Sequence, residues 1–342
     1  MDASVRLLLR HLSHVPGPAL WIADEHIDRA AVALAPTRAE LHALSNRCDV
    51  AAMLRARGVP TALNDFELTQ LSVFEHALFR VAKEKALVHH VINRALELLP
   101  SGGTLTLSGF KGDGIKTFIA KTAARAQSEI RLEREGGALL GVVTRAKDLM
   151  EPLDDQNYTQ LQRIELAPGF TVCSKPGIFG WKKIDEGSRF LFDHIDSVWP
   201  KPPQRMLDLG CGYGYLSIRA LKHWSNTQVL ATDNNIAAIN ACARNLQEFG
   251  KRARCISSDA GETIDEQFDA ILCNPPFHQG FAHQSELTEK FLRRTQRLLT
   301  DSGRALFVIN QFIDIEKPAA PWFRRIDIIA RNAGFKLLVL ER

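Results

Sequence analysis

The chain has 342 residues, more than one ordinary domain of roughly 100–200 residues, so two domains are expected. Hydrophobic residues make up 45% and charged residues 24%, which excludes a disordered or collagenous chain. The net charge of +4 lies wholly in the second half: residues 1–165 hold 20 basic and 20 acidic groups, and residues 166–342 hold 23 and 19. That excess permits a nucleic-acid partner without requiring one.

No apolar run reaches the roughly 18 residues that cross a bilayer, and Met1–Arg10 carries charge too early for a secretory leader. Six scattered cysteines show no CxxC pair, and no His cluster stands at zinc spacing. A cytoplasmic protein with reduced thiols, no metal and no membrane contact is expected.

In chain order, Phe74–Phe79 reads as a short strand, Leu87–Leu99 as a helix and Thr104–Ser108 as a strand, with Pro100-Ser-Gly-Gly103 turning between the last two. His89 and His90 sit on the helix with no partner at ligand spacing. Asp154–Asn157 is a polar joint, and the expected domains are 1–165 and 166–342. Tyr158–Leu166 and Phe170–Ser174 alternate like a hairpin around Pro168-Gly169. Lys175–Ser188 then mixes aromatic and basic groups, and Asp185 or Ser188 caps a helix over Arg189–Ile195.

Beyond it, strands are expected at Met206–Leu209, Val229–Thr232, Arg254–Ser257, Phe268–Cys273, Ala305–Asn310 and Lys336–Leu340. Helical patterns at Tyr215–Trp224, Asn235–Phe249 and Ser285–Leu299 alternate with them, and Gly250 and Gly303 stand where a left-handed residue ends a helix. This is a doubly wound α/β domain with a parallel sheet. The order strand, helix ending in Leu-Leu, turn with Gly, strand occurs in both halves, which points to an internal duplication.

The strongest motif is Asp208-Leu-Gly210-Cys-Gly212-Tyr-Gly214, a strand entering a glycine turn and then a helix. Glycines let a ligand approach backbone that a Cβ would block, and the helix start offers free N–H groups. The GxGxxG spacing of dinucleotide sites fails at Tyr215, and the pattern fits S-adenosylmethionine (SAM) better. Asp208 is placed for the positive methionine end, Asp233 for the ribose hydroxyls and Asp259 for the adenine amine. Each lies at a strand's C-terminal end, where open α/β sheets bind ligands.

The second motif is Asn274-Pro-Pro-Phe277-His278. The Asn274 oxygen and the Pro275 carbonyl can accept both hydrogens of a planar amine, while Phe277 stacks on the ring that carries it. That acceptor pair favours the pyramidal, attacking nitrogen and so strengthens toward the transition state. Phe179 and Trp181 cover the cofactor, stack on a base, or staple the hairpin to the domain. His278 contacts RNA or steers a proton. Lys290, Arg293, Arg294 and Arg297 share one helical face, read either as a phosphate-contacting stripe or as a solvated surface.

Pro176-Gly-Ile-Phe179, Asp185-Glu-Gly-Ser188, Asp208-Leu-Gly-Cys-Gly212 and Asn274-Pro-Pro-Phe-His278, in this order, resemble the bacterial ribosomal RNA guanine-N2 methyltransferases. Both the small-subunit 16S enzymes of the RsmC type and the large-subunit 23S enzymes of the RlmG type are similar. The resemblance covers about residues 170–342, and Gly180 and Ile184 depart from it where Ser and Leu are usual. It implies a class I SAM-dependent methyltransferase domain preceded by a degenerate, duplicated copy that binds RNA or supports catalysis. The first domain lacks the site: Asp24-Glu-His replaces the glycine turn after strand Leu20–Ala23, and Arg80-Val-Ala-Lys83 replaces Asn-Pro-Pro-Phe.

Carried onto this chain, the resemblance implies that Asp208, Gly210, Gly212 and Gly214 hold the methionine part of SAM, Asp233 the ribose and Asp259 the adenine. Asn274, Pro275 and Phe277 would hold the target guanine, with Asn274 also beside the cofactor and Phe179, Trp181, His278, Arg293 and Arg297 touching substrate. The implied substrate is 16S rRNA in a 30S particle, acted on by a monomer. The alternatives are 23S rRNA, or the DNA adenine and protein glutamine that other Asn-Pro-Pro enzymes methylate.

Overall fold

A computed structural model describes residues 1–68, 74–276 and 281–342, with the backbone alone over 281–285. It divides into two units, Met1–Gln160 and Leu161–Arg342. The division falls before the expected joint at 165/166, which would cut a strand. Tyr158 is buried in the first unit, stacked on His90, with its hydroxyl donating to Asp65 at 2.9 Å. The anticipated strand from Tyr158 is accordingly displaced to Gln162–Ala167.

The first unit contains strands β1 (Ala19–Ala23), β2 (Leu41–Ser45), β3 (Thr61–Leu63), β4 (His76–Arg80), β5 (Thr104–Phe110), β6 (Ile130–Glu135) and β7 (Ala138–Thr144). They form one sheet in the order β3-β2-β1-β4-β5-β7-β6. Its helices are α1 (Ala3–Leu12), α2 (Arg29–Ala33), α3 (Cys48–Ala56), α4 (Lys85–Leu98) and α5 (Ile115–Ala126). His89 and His90 are buried on α4 and bond to the Asp154 carbonyl at 2.6 Å and the Asp155 carboxylate at 3.1 Å, pinning the polar joint to this unit.

The second unit opens with the hairpin β8 (Gln162–Ala167) and β9 (Phe170–Ser174), then α6 (Glu186–Asp193) and α7 (Ile195–Val198). Its sheet comprises β10 (Arg205–Leu209), β11 (Gln228–Asp233), β12 (Ala253–Ser257), β13 (Phe268–Cys273), β14 (Leu299–Asn310), β15 (Arg325–Arg331) and β16 (Phe335–Glu341). The connecting helices are α8 (Tyr215–His223), α9 (Ile236–Leu246), α10 (Phe281–Leu298) and α11 (Glu316–Ala319). The strand order β12-β11-β10-β13-β14-β16-β15 repeats that of the first unit position by position. The echo in the sequence is therefore a duplicated fold, with β4, α4 and β5 matching β13, α10 and β14.

Alternate residues of the central strands feed two layers, which explains their near-continuous apolar runs. Met206, Ala270 and Leu272 join the core with Leu216 of α8 and Ala241 of α9, while Leu207, Leu209 and Ile271 join Leu292 and Leu298 of α10. Gly303 is not left-handed as expected. A Cβ there would stand 2.8 Å from the Phe268 carbonyl oxygen, so close approach to β13 requires glycine; Gly103 meets the Glu75 carbonyl oxygen at 2.9 Å in the same way.

The two copies differ at the C-terminal ends of their strands. β1 runs into Asp24, whose carboxylate meets the His26 ring at 3.1 Å. β4 ends at Arg80, whose buried guanidinium pairs with Asp113 at 2.8 Å. The first unit thus has a charged cluster where the second has its glycine turn and Asn274.

Candidate active site

Parallel register brings the C-terminal ends of β10, β11, β12 and β13 to one edge: Leu209 pairs with Thr232 and Cys273, and Asp233 with Ser257. The residues that follow, Gly210 to Gly214, Asp233, Asp259 and Asn274, converge there.

The three glycines have left-handed φ values of +87°, +54° and +93°, but for two different reasons. A Cβ on Gly210 or Gly212 would meet nothing within 4 Å among the described residues, so these two lie where a ligand can approach. A Cβ on Gly214 would stand 2.8 Å from the Cys242 sulfur on α9. Gly214 is therefore required as glycine by the packing of α8 against α9. Gly214→Ala adds left-handed strain of about 1–2 kcal/mol to that clash, so its melting temperature is expected to fall. Gly210→Ala carries the strain without the clash and is expected to weaken SAM binding more than it lowers the melting temperature.

Asp208 lies under this turn, 1% exposed. Its Oδ2 accepts from the Ser217 backbone N at 3.0 Å and Oγ at 2.6 Å, which caps the start of α8 from the strand. Its Oδ1 is buried with no hydrogen-bond partner among the described residues. Burial raises the carboxyl to about 6, assisted by the neighbouring negative Asp233 and opposed by the Ser217 bonds. Asp233 accepts from the Gly212 N at 3.0 Å and the Asn235 N at 2.9 Å, so one carboxylate ties the glycine turn to the start of α9.

Asp259 pairs with Lys290 of α10, which also meets Glu262 at 3.3 Å. Arg294 is buried and donates to the carbonyls of Gly261 and Ile264. Lys290 and Arg294 thus hold the loop after β12 and do not form the basic stripe read from sequence. Arg297 sits in a cleft with Gln204 and Arg205 at the N-terminal end of β10, 4.0 Å from Asp265. That is the sheet edge opposite the glycine turn, so Arg297 is not at the substrate mouth. Arg293 is exposed on the same helix.

Asn274 and Pro275 follow β13 directly, whereas Phe277 and His278 lie outside the described residues. The Asn274 Nδ2 donates to the Asp185 Oδ1 at 2.7 Å and the Ser188 Oγ at 2.9 Å, across 89 and 86 residues of sequence. Asp185 Oδ1 also accepts the Ser188 N at 2.8 Å, which makes Asp185 the N-cap of α6. Trp181 packs half-buried against the core with the Lys182 ammonium 4.1 Å over its ring. Phe179 is 63% exposed.

Phe312, unread in the sequence, is 85% exposed on the turn after β14. Cys273 pairs with Phe307, so β14 runs on past the end of β13 and presents Phe312 on the same edge. Its backbone N–H donates to the Asn310 Oδ1 at 3.0 Å.

The family description "Methyltransferase small domain" matches residues 169–339, and "Methyltransferase small domain N-terminal" matches residues 5–131. The chain belongs to the methyltransferase small-domain family. Among its relatives, the ribosomal RNA small subunit methyltransferase C of Shewanella loihica is 26% identical over 272 residues, 79% of this chain and 78% of that protein. The same enzyme of Shewanella amazonensis is 26% identical over 265 residues, 77% of this chain and 76% of that protein. The structure of the 16S rRNA N2 methyltransferase RsmC of T. thermophilus, in complex with AdoMet and guanosine, superposes with a TM-score of 0.83 at 21% identity, covering 100% of this chain and 92% of that one. This small-domain methyltransferase is SAM-dependent, and its own residues fit the cofactor. Among the described residues, Gly210 and Gly212 leave space that a side chain would fill, and Asp208 Oδ1 is a buried acceptor without a partner.

Proposed function

We propose that this enzyme methylates the exocyclic N2 of a guanine in 16S rRNA. The observation that carries the proposal is the orientation of Asn274: its amide nitrogen is engaged by Asp185 and Ser188, which leaves Oδ1 as the end able to accept from a substrate amine. The names of the relatives support ribosomal RNA of the small subunit as the substrate class.

Asp208, Gly210 and Gly212 hold the methionine part of SAM, Asp233 the ribose, and Asp259, braced by Lys290, the adenine. When bound, SAM supplies a sulfonium methyl group as the electrophile. Guanine N2 is a poor nucleophile because its lone pair is delocalised into the ring. Asn274 Oδ1 and the Pro275 carbonyl accept its two hydrogens and favour the pyramidal nitrogen, while Phe277 stacks on the ring. The remaining acceleration comes from in-line orientation. Since N2 lies on the pairing edge, the guanine enters unpaired or flipped.

Phe179, Phe312 and Arg293 contact the RNA around that base, and the first unit reads or supports the RNA. The working form is a cytoplasmic monomer acting on the 30S particle. Phe312→Ala is expected to raise the KM for RNA about tenfold with little change in kcat, as loss of one base–aromatic stack would. Steady-state kinetics against RNA concentration checks this, and an unchanged KM excludes the contact.

The test of the whole reading supplies labelled SAM with 30S particles, 50S particles, free 16S RNA or free 23S RNA from cells lacking the activity. N2-methylguanosine in the 16S or 30S sample is expected. The same nucleoside only in the 23S or 50S sample moves the assignment to the large subunit. Label in no RNA overturns the guanine assignment and turns the search to DNA adenine and protein glutamine.

A further inference from the structure

In the sequence Asp185 is a helix cap and part of the segment Asp185-Glu-Gly-Ser188 with no further role assigned to it, yet its carboxylate oxygen lies 2.7 Å from the Asn274 amide nitrogen. The two ends of an asparagine amide have nearly the same shape, so sterics alone do not decide which end faces the substrate. Hydrogen bonding does. An ionised carboxylate only accepts, and Asp185 Oδ1 already takes the Ser188 N–H at 2.8 Å, so only the NH₂ end of Asn274 can meet it. Ser188, 8% exposed, adds a second acceptor at 2.9 Å.

The carboxylate is itself held in place. It caps α6, and a Cβ on Gly187 would stand 3.1 Å from both Asp185 Oδ1 and the Phe335 ring, so the bare glycine lets the first turn of α6 close against β16. Asp185 and Ser188 sit three residues apart on that turn and both point at Asn274.

We propose that Asp185, with Ser188, is a positioning residue that locks the Asn274 amide with Oδ1 toward the target amine and excludes the flipped state. The inference rests on the reading that Asn274 accepts from that amine. In the flipped state an N–H would face the N–H of the substrate, and the acceptor pair would be lost. A helix cap has only to satisfy the start of α6. A positioning residue must also match the hydrogen-bonding character of residue 274.

That difference sets the test. Asp185→Ser keeps a good N-cap but withdraws the carboxylate from Asn274. Its kcat for guanine methylation is expected to fall at least tenfold, with the SAM Kd and the RNA KM within twofold of wild type. Asn274→Asp sets two carboxylates against each other and is expected to lose more than a hundredfold in kcat. Adding Asp185→Asn to it removes one of the two opposed carboxylates, leaves an oxygen of residue 274 toward the substrate, and is expected to recover at least tenfold. A wild-type kcat in Asp185→Ser, or a double variant no faster than Asn274→Asp alone, overturns the proposal. The swap pair decides it if Asp185→Ser fails to fold.

A readout without turnover separates this from failure of the guanine reading. The side-chain amide protons of Asn274, identified by their loss in Asn274→Ala, should exchange at least tenfold faster in Asp185→Ser than in wild type. Equal exchange rates overturn the lock even if the RNA substrate proves to be different. Protected protons in a wild type that methylates no guanine leave the lock standing and remove only the substrate.

Discussion

Asn274→Ala should bind SAM with the wild-type Kd and transfer its methyl group about 10²–10³-fold more slowly, the loss typical when one preorganised polar group is removed from a developing transition state. The substitution removes the oxygen that would accept from the target amine and leaves the glycine turn, Asp208 and Asp233 untouched. It also deprives Asp185 Oδ1 and Ser188 Oγ of their shared donor. Asp185 keeps the Ser188 N–H and is half-buried, so water can replace the missing bond and the fold should survive. The decisive comparison is between calorimetric SAM affinity and single-turnover transfer to rRNA. Equal losses in both would mean that Asn274 belongs to the cofactor site alone. Unchanged transfer would remove it from catalysis.

The parts of this site that were legible in the sequence are those written in short segments. The glycine turn after an apolar strand, and Asn274-Pro-Pro directly after Phe268–Cys273, each declare themselves within a few residues. The duplication was visible because β4 to β5 and β13 to β14 share one local grammar down to the tight glycines Gly103 and Gly303. The edge strands β6 and β15 were not legible. β6 reads Ile-Arg-Leu-Glu-Arg-Glu with its side chains largely in solvent, and β15 reads Arg-Ile-Asp-Ile-Ile-Ala-Arg with no buried residue, so neither carries the pattern of a buried strand. Long-range polar pairing was also invisible. Nothing in the spacing of Asp185 and Asn274 shows that they meet, and nothing in the helical face of Lys290 and Arg294 shows that both turn inward to brace the loop at Asp259. The packing demand on Gly214 was not legible either, because a glycine required by a neighbouring helix looks the same in sequence as one required by a ligand.

On the proposed assignment of the methionine ammonium to Asp208, which receives it only when ionised, SAM affinity should rise with pH through the acid range and level off above about pH 6. The sign follows from the environment of the group. Burial raises the folded carboxyl to about 6, above its ordinary value of 3.8, so the folded protein without cofactor binds the extra proton and loses stability as pH rises between those values. A cation held at the unpartnered Oδ1 reverses the preference, favours the anion and draws the carboxyl down in the complex. Binding SAM below about pH 6 therefore releases a proton, and the affinity should change by up to tenfold per pH unit until the carboxyl in the complex also titrates. Asp208→Asn should flatten the profile and weaken binding at pH 7, since its NH₂ group would either face the ammonium or displace the bonds to Ser217. Calorimetry between pH 5 and 7, in two buffers of different ionisation enthalpy, measures both the affinity and the proton released. A flat wild-type profile with no proton release would place the ammonium elsewhere. A sloping profile that persists in Asp208→Asn would assign the titration to another group, with Asp233, the carboxylate that already perturbs Asp208, the next to replace.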